Sequence, residues 1–260
     1  VVIGKNIYFV SDLHLGAPAL RNNKEREMLF ADWLRSIKND VGTLFLMGDF
    51  FDFWFEYKKV IPKGFVRSLG ALAELCDSGV TVHFFTGNHD IWAFDYLSKE
   101  IGMQVHTDPV RMDFHGKSFF LSHGDDLGKK DFGYQFIKNL FHNRLAQWFF
   151  AKIHPDPAIR LAHYWSKKSR LSHKISDQGF KGLDLEDQYL FAKSVLKKAH
   201  YDYFVFGHRH IELNEQIEDN SRLVILGDWI RLFSYGIFDV NEFRIEHIEE
   251  NKLKQYSLTN

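Results

Sequence analysis

The sequence has one cysteine, Cys76, in 260 residues. That excludes an internal disulfide and fits a reducing compartment. Cys76 lies in the helix-like stretch 69–76, where it reads as a small buried hydrophobe. Long apolar runs are missing too. None approaches the roughly 20 residues that span a bilayer, and no signal-peptide pattern opens the chain. The expected location is the cytoplasm. Net charge is also scarce, at −1, so bulk electrostatics point to no partner. The balance hides an uneven spread. Residues 129–181 carry eleven Lys or Arg against three Asp, a local +8 on a body of −9.

What is present suffices for a core. Hydrophobic residues make up 45% and charged residues 26%, ordinary for one large globular domain or a core with an insertion. The aromatic share of 16%, with 26 Phe, is high and asks for a role beyond filling a core. Strands are expected at 7–10, 43–47 and 80–85, with helices at 24–38 and 64–76 between them. This alternation predicts a parallel sheet covered on both faces. Closer strands follow at 111–114 and 118–121 around a turn at 115–117. Residues 130–200 break the alternation. There, 132–150 and 158–170 read as helices separated by His154-Pro155-Asp156-Pro157, and 184–198 reads as a third helix capped by Asp184. Strand 203–206 and short strands at 211–217, 222–226, 236–240 and 243–248 complete an α/β sandwich.

Five polar clusters each follow directly on a strand-like run. They are Ser11-Asp12-Leu13-His14, Gly48-Asp49, Gly87-Asn88-His89-Asp90, Ser122-His123-Gly124-Asp125 and Gly207-His208-Arg209-His210. In open α/β sheets, residues just past the carboxyl ends of strands gather in one crevice. Asp, His and Asn are the usual ligands of divalent metals, and five strands deliver them to one place. A lone Gly-Asp or His after a strand is ordinarily structural; five in register mark a site. Asp12 and His14, two residues apart, can point to one side, and Gly48 permits the sharp turn that exposes Asp49.

Seven candidate ligands result: Asp12, His14, Asp49, Asn88, His123, His208 and His210. They are too many for one ion and suit two divalent ions that share a carboxylate. Asp, Asn and imidazole together suit Mn²⁺, Fe or Zn²⁺, with Mn²⁺ the leading expectation. Two metals ~3.5–4 Å apart activate a water and clamp the oxygens of a phosphorus centre. His89 adjoins the cluster and Asp90 follows it, as expected for an acid at the leaving oxygen whose tautomer a carboxylate fixes. The other histidines, His83, His106 and His163 among them, read as surface or packing residues.

This motif series resembles that of the calcineurin-like metallophosphoesterases across nearly the whole chain. The resemblance implies a four-layer α/β/β/α sandwich with a dinuclear centre. It implies Asp12, His14, Asp49 and His210 on one metal, and Asp49, Asn88, His123 and His208 on the other. Within the family, the chain is most similar to the UDP-2,3-diacylglucosamine pyrophosphohydrolases of lipid A biosynthesis. The similarity lies in Gly48-Asp49-Phe50-Phe51-Asp52-Phe53-Trp54, and in His123-Gly124-Asp125-Asp126-Leu127 followed by Asp131 and Tyr134-Gln135. It implies attack of water on the α-phosphorus of UDP-2,3-diacylglucosamine, giving UMP and 2,3-diacylglucosamine 1-phosphate (lipid X). Asp131 and Tyr134 would then contact the glucosamine, and Trp54 would line the pocket. The segment at about 130–182 would form a helical lid over the acyl chains. His89, where one main form of the branch has Arg, and Arg209 depart from the pattern.

That segment holds more aromatics than one packed helix face absorbs, including Phe132, Trp148, Phe149 and Phe150. The surplus suits an acyl pocket or a bilayer surface. Basic residues follow. Lys167 and Arg170 suit the substrate's phosphates, and the basic stretch suits peripheral binding to the anionic cytoplasmic face of the inner membrane. A helix hairpin with a solvated basic face is the structural alternative. The functional alternative is a phosphodiesterase or nuclease of the same fold, acting on soluble nucleotides or nucleic acid. Nucleic acid is disfavoured because the basic residues are concentrated in one small segment of an otherwise acidic protein.

Overall fold

The computed structural model describes residues 5–125, 127, 140–176, 179, 180 and 182–259, and within 167–176 the backbone alone. The first sheet holds β1 (Asn6–Val10), β2 (Val41–Leu46), β3 (Thr81–Phe85), β4 (Gln104–His106), β10 (Ser234–Phe238) and β11 (Phe243–His247). Its order is β11-β10-β1-β2-β3-β4. Strands β1 to β4 run parallel, with α1 (Asn23–Ile37) and α2 (Val66–Asp77) as crossovers, while β10 pairs antiparallel with β1. The second sheet holds β5 (Val110–Phe114), β6 (Lys117–Leu121), β7 (Tyr203–Phe206), β8 (Glu212–Gln216) and β9 (Arg222–Leu226), in the order β5-β6-β7-β9-β8. Its central three strands are parallel and its edges antiparallel. The parallel run expected from the alternation is present as β1 to β4, and the hairpins β5-β6, β8-β9 and β10-β11 add antiparallel pairs because short connections allow no other pairing.

The strand period of two sorts side chains into layers. Ile7 and Phe9 of β1 face the second sheet, in a core with Phe45, Phe119, Val205 and Phe238. There the ring of Phe9 stacks on Phe45 at 4.9 Å and lies 6.3 Å from Phe119, and Phe119 meets Phe238 at 5.0 Å. Tyr8 and Val10 face the other way, into a core with Leu29, Phe30 and Trp33 of α1 and Leu72 of α2. On the far side, Phe204, Phe206 and Ile225 pack with Ala192 of a helix over Asp187–Leu196. The result is the expected α/β/β/α sandwich.

Between β6 and β7 lie α3 (Arg144–Phe150), α4 (Pro155–Ser176) and α5 (Asp187–Leu196); α6 (Glu250–Gln255) follows β11. The continuous helix expected over 132–150 is interrupted within its described stretch. The Asn143 side chain accepts from the backbone N–H groups of Leu145 and Ala146 and starts α3 afresh. Pro155 and Pro157 open α4 rather than lying in a linker ahead of it, since the first helical turn needs no N–H from them. Asp184 does not cap the third helix: it lies in a 3₁₀ turn (Leu183–Leu185), and α5 begins after Glu186, whose carboxylate turns to Arg209 instead. Among the described residues, no helix is long and apolar enough to cross a membrane.

Candidate metal centre

All five clusters sit where their strands end. Asp12 and His14 follow β1, Asp49 follows β2, and Asn88 and His89 follow β3 of the first sheet; His123 follows β6, and His208 and His210 follow β7 of the second. Five of the seven candidate ligands hold a left-handed backbone: Asp12, His14, Asp49, His208 and His210, with φ between 45° and 68°. Such a conformation costs a non-glycine residue roughly 1–2 kcal/mol, so the surroundings must impose it. Backbone hydrogen bonds do so, from Asp12 N to Gly48 O (3.1 Å), His14 N to Asp49 O (2.9 Å) and Gly207 N to His123 O (3.0 Å). Buried Arg26 of α1 adds donors to the carbonyls of Leu13 (2.5 Å) and His14 (3.3 Å). Two glycines are required for close approach. A Cβ at Gly87 would strike the Asp49 carboxylate, and one at Gly207 would strike Ser11 Oγ and Asp12.

The ligand atoms converge in two groups. Asp12, His14 and His210 each present one atom, all within 4.8 Å of one another, and Asp49, His123 and His208 do the same. Asp49 Oδ2 lies 3.6 Å from His14 Nε2 and 3.4 Å from His123 Nε2, so it stands between the groups as a bridging atom would. The donor set fits divalent cations. Asp12 Oδ1, Asn88 Oδ1 and His123 Nε2 are buried and make no hydrogen bond. Each such atom costs about 1–3 kcal/mol if nothing engages it, and two cations would between them take all three lone pairs.

Partners behind the imidazoles fix which nitrogen faces inward. His123 Nδ1 donates to the Met47 carbonyl (2.8 Å), and His210 Nδ1 to Asp228 Oδ2 (3.2 Å). Asp228 Oδ1 also accepts from the N–H groups of Ile230, Arg231 and Leu232, at 2.9, 2.7 and 3.1 Å. Asp12 Oδ2 accepts from Ser11 Oγ (2.6 Å) and His208 N (2.8 Å), which leaves Oδ1 to the centre. Burial alone would raise the Asp49 carboxyl, but His123, His89 and His14 hold it well below the usual carboxylate range. Burial would likewise lower His123, yet Asp49 and Asp12 hold it well above the usual imidazole range. The carboxylates therefore select positive charge at this spot, the charge a divalent ion carries. Burial, with His123 nearby, pushes His208 down to about 4, into the neutral form that binds metal.

His89 joins the centre: its ligand atom lies within 4.8 Å of those of His14 and Asp49, and its ring meets His14 edge-on at 4.7 Å. Its expected orienter is wrong. Asp90 Oδ1 accepts from Gly87 N (2.7 Å), and Oδ2 from Phe50 N (2.7 Å) and Phe51 N (3.2 Å), so it ties the β2 and β3 loops together. His89 Nδ1 donates instead to the Asp52 carbonyl (2.9 Å). Trp54 is a second correction. It is fully buried, stacked on Phe51 at 4.1 Å with its indole N–H on Glu56, so it lines no open pocket. Asp131 and Tyr134 lie outside the described residues, as do the side chains of Lys167 and Arg170. Sequence reasoning missed Asp228, Asp52 and His163. The acid of the Gly-Asp-x-x-Asp spacing was the one signal for Asp52; His163, read as packing, lies 3.4 Å from the Asp52 carboxylate.

A family model described as calcineurin-like phosphoesterase matches residues 5–212. A UDP-2,3-diacylglucosamine hydrolase of Porphyromonas gingivalis is 40% identical over 259 residues, covering 94% of this chain and 98% of that protein. A protein of the same name from Haemophilus influenzae (strain KW20) is 29% identical, covering 86% of this chain and 91% of its own length. Among solved structures, a dimetal phosphatase from Danio rerio is 15% identical, covers 94% of this chain and 95% of that one, and superposes with a TM-score of 0.46. The chain belongs to the calcineurin-like phosphoesterase family and is a metal-dependent hydrolase.

Proposed function

We propose that the chain hydrolyses the pyrophosphate bond of UDP-2,3-diacylglucosamine, releasing UMP and 2,3-diacylglucosamine 1-phosphate. One observation carries the chemistry: two Asp/His groups meet at a single carboxylate oxygen, Asp49 Oδ2. The substrate is supported by the 40% identity to a hydrolase of that name over 94% of the chain. In this reading, Asp12, His14, Asp49 and His210 hold one cation, and Asp49, Asn88, His123 and His208 the other. The mixed oxygen and imidazole donors favour Mn²⁺ over Mg²⁺. When bound, the pair supplies Lewis acidity and a water of lowered pKa. Water forms a new bond to the α-phosphorus as the bond from that phosphorus to the bridging oxygen breaks. His89, with Nδ1 engaged by the Asp52 carbonyl, offers Nε2–H to that leaving oxygen. Asp90 serves by fixing the two loops that carry Asp49 and His89.

The domain spans 1–260, with 130–182 as a helical insertion and Asp131, Tyr134, Lys167 and Arg170 as substrate contacts. Exposed Leu145, Trp148 and Phe149 on α3, and Tyr164 and Trp165 on α4, support docking on the anionic cytoplasmic face of the inner membrane. The Lys152 ammonium, 4.9 Å over the Trp148 ring, suits that interface. The test is a detergent-dependent assay with Mn²⁺, reading UMP release from UDP-2,3-diacylglucosamine. Turnover of that lipid, abolished by Asp49→Ala with cooperative melting retained, is the expected result. No UMP from the lipid, with efficient cleavage of DNA or simple phosphodiesters, would replace the lipid with a soluble substrate.

A further inference from the structure

We propose that helix α4 positions the leaving-group acid, with His163 and Ser166 holding the carboxylate of Asp52 and Asp52 in turn holding His89. Asp52 is 1% exposed and faces two ways. Toward α4, Ser166 Oγ donates to Oδ1 (2.9 Å), and His163 Nδ1 lies 3.4 Å from Oδ2. Toward the centre, Oδ1 lies 3.8 Å from Nδ1 of both His14 and His89, and the carbonyl of the same residue accepts the His89 Nδ1–H at 2.9 Å. Its backbone N–H is committed to Leu15 O (2.9 Å), which anchors it to the loop after β1.

A buried carboxylate must be engaged by hydrogen-bond donors, or its burial is costly. Ser166 and His163 are such donors, and both come from outside the β-sandwich. They lie three residues apart and share one face of α4. Tyr164 and Trp165 between them are 63% and 50% exposed. The helix thus carries an outer aromatic surface and an inner polar contact. Whatever seats the outer face, substrate chains or lipid surface, bears through Asp52 on the angle and charge environment of His89. Ser166 and His163 are positioning residues, acting on the reacting atoms only through Asp52 and His89. This inference rests on His89 as the acid, and its test keeps the two separable.

The double variant Ser166→Ala/His163→Phe is compared with His89→Ala on two aryl phosphodiesters, one losing p-nitrophenol and the other phenol, with Mn²⁺. Phenol is the poorer leaving group and depends more on an acid. The double variant is expected to lose roughly tenfold in kcat on the phenyl ester and little on the nitrophenyl ester, with KM and two metals per chain retained. Ser166→Thr, which keeps the hydroxyl, restores the rate. Independently of turnover, Asp52→Asn should speed amide hydrogen exchange across 155–166 at least about fivefold. Equal losses on both esters, a change in KM alone, metal loss or no effect would overturn the coupling. If His89→Ala itself shows no dependence on the leaving group, the acid assignment fails and the inference falls with it. If neither ester turns over, the exchange measurement decides: unchanged protection of α4 in Asp52→Asn overturns the proposal.

Discussion

Replacing Asp228 by Asn should weaken one metal site and spare the other. The Asp228 side chain is fully buried and does two jobs. Oδ1 gathers the N–H groups of Ile230, Arg231 and Leu232, while Oδ2 accepts from His210 Nδ1 at 3.2 Å with an Arg231 nitrogen 3.5 Å away. Asparagine keeps the first job, because its carbonyl oxygen can stand in for Oδ1. It reverses the second, because an NH₂ group then faces His210. The imidazole answers by presenting its Nδ1 lone pair, which moves its proton to Nε2, the atom 3.5 Å from Asp12 Oδ1. A protonated Nε2 cannot ligate. Loss of such a partner typically costs 10–100-fold in metal affinity, or about 1.4–2.7 kcal/mol. The fold should lose no more than about 1 kcal/mol, since the three loop donors stay satisfied. Calorimetric titration of stripped protein with Mn²⁺ reads this directly. The step belonging to Asp12, His14 and His210 should weaken, and the step belonging to Asp49, Asn88, His123 and His208 should hold. Two unchanged steps would refute the role given to Asp228.

Two further outcomes test other regions of the fold. His83 Nδ1 lies 2.9 Å from His106 Nε2 beneath the Phe45 ring, and burial, with His106 nearby, pushes its pKa down to about 4. A depressed imidazole pKa means the unfolded chain binds the proton first, so this contribution is complete above pH 6.5 and is lost as pH falls toward 4. His83→Phe should therefore flatten the pH dependence of stability in that window by on the order of 2 kcal/mol, read by urea unfolding at pH 7.5 and 5; parallel losses in both proteins would remove the assignment. Trp54→Ala, in a site with no solvent exposure, should cost about 3–5 kcal/mol and lower Tm even with metals bound; a stable variant with raised KM alone would return Trp54 to the pocket.

The candidate ligands were legible because each announces itself locally: an apolar strand, often a small residue, then an Asp, Asn or His. The same logic yields the layers, since the alternation of Tyr8, Phe9 and Val10 is a two-sided strand. What escaped was everything decided between segments far apart in sequence. Asp90 and Asp52 both follow ligands at plausible offsets, and only the packed loops decide that the first serves the backbone and the second the imidazole. Asp228 carries the same local pattern, with Gly227-Asp228 directly after β9, and only the packed loops decide that it backs His210. His163 looks like any helix histidine until α4 lies against the β2 loop. Trp54 looked like a pocket residue through resemblance, yet Phe51, Phe65 and Tyr96 enclose it.

Three of the loops that bear candidate ligands leave one sheet and two leave the other, so cations held there would be riveted across the seam of the sandwich. The gap between the rivet's two halves is set by what fills the seam below it, and that filling is the ring cluster of Phe9, Phe45 and Phe119, with Phe238 edge-on to Phe119. Flat, incompressible rings make good shims. A thinner residue in that cluster, remote from any ligand, would let the sheets settle closer and detune the distance between the metals. The abundance of phenylalanine is in this sense a gauge block for catalysis.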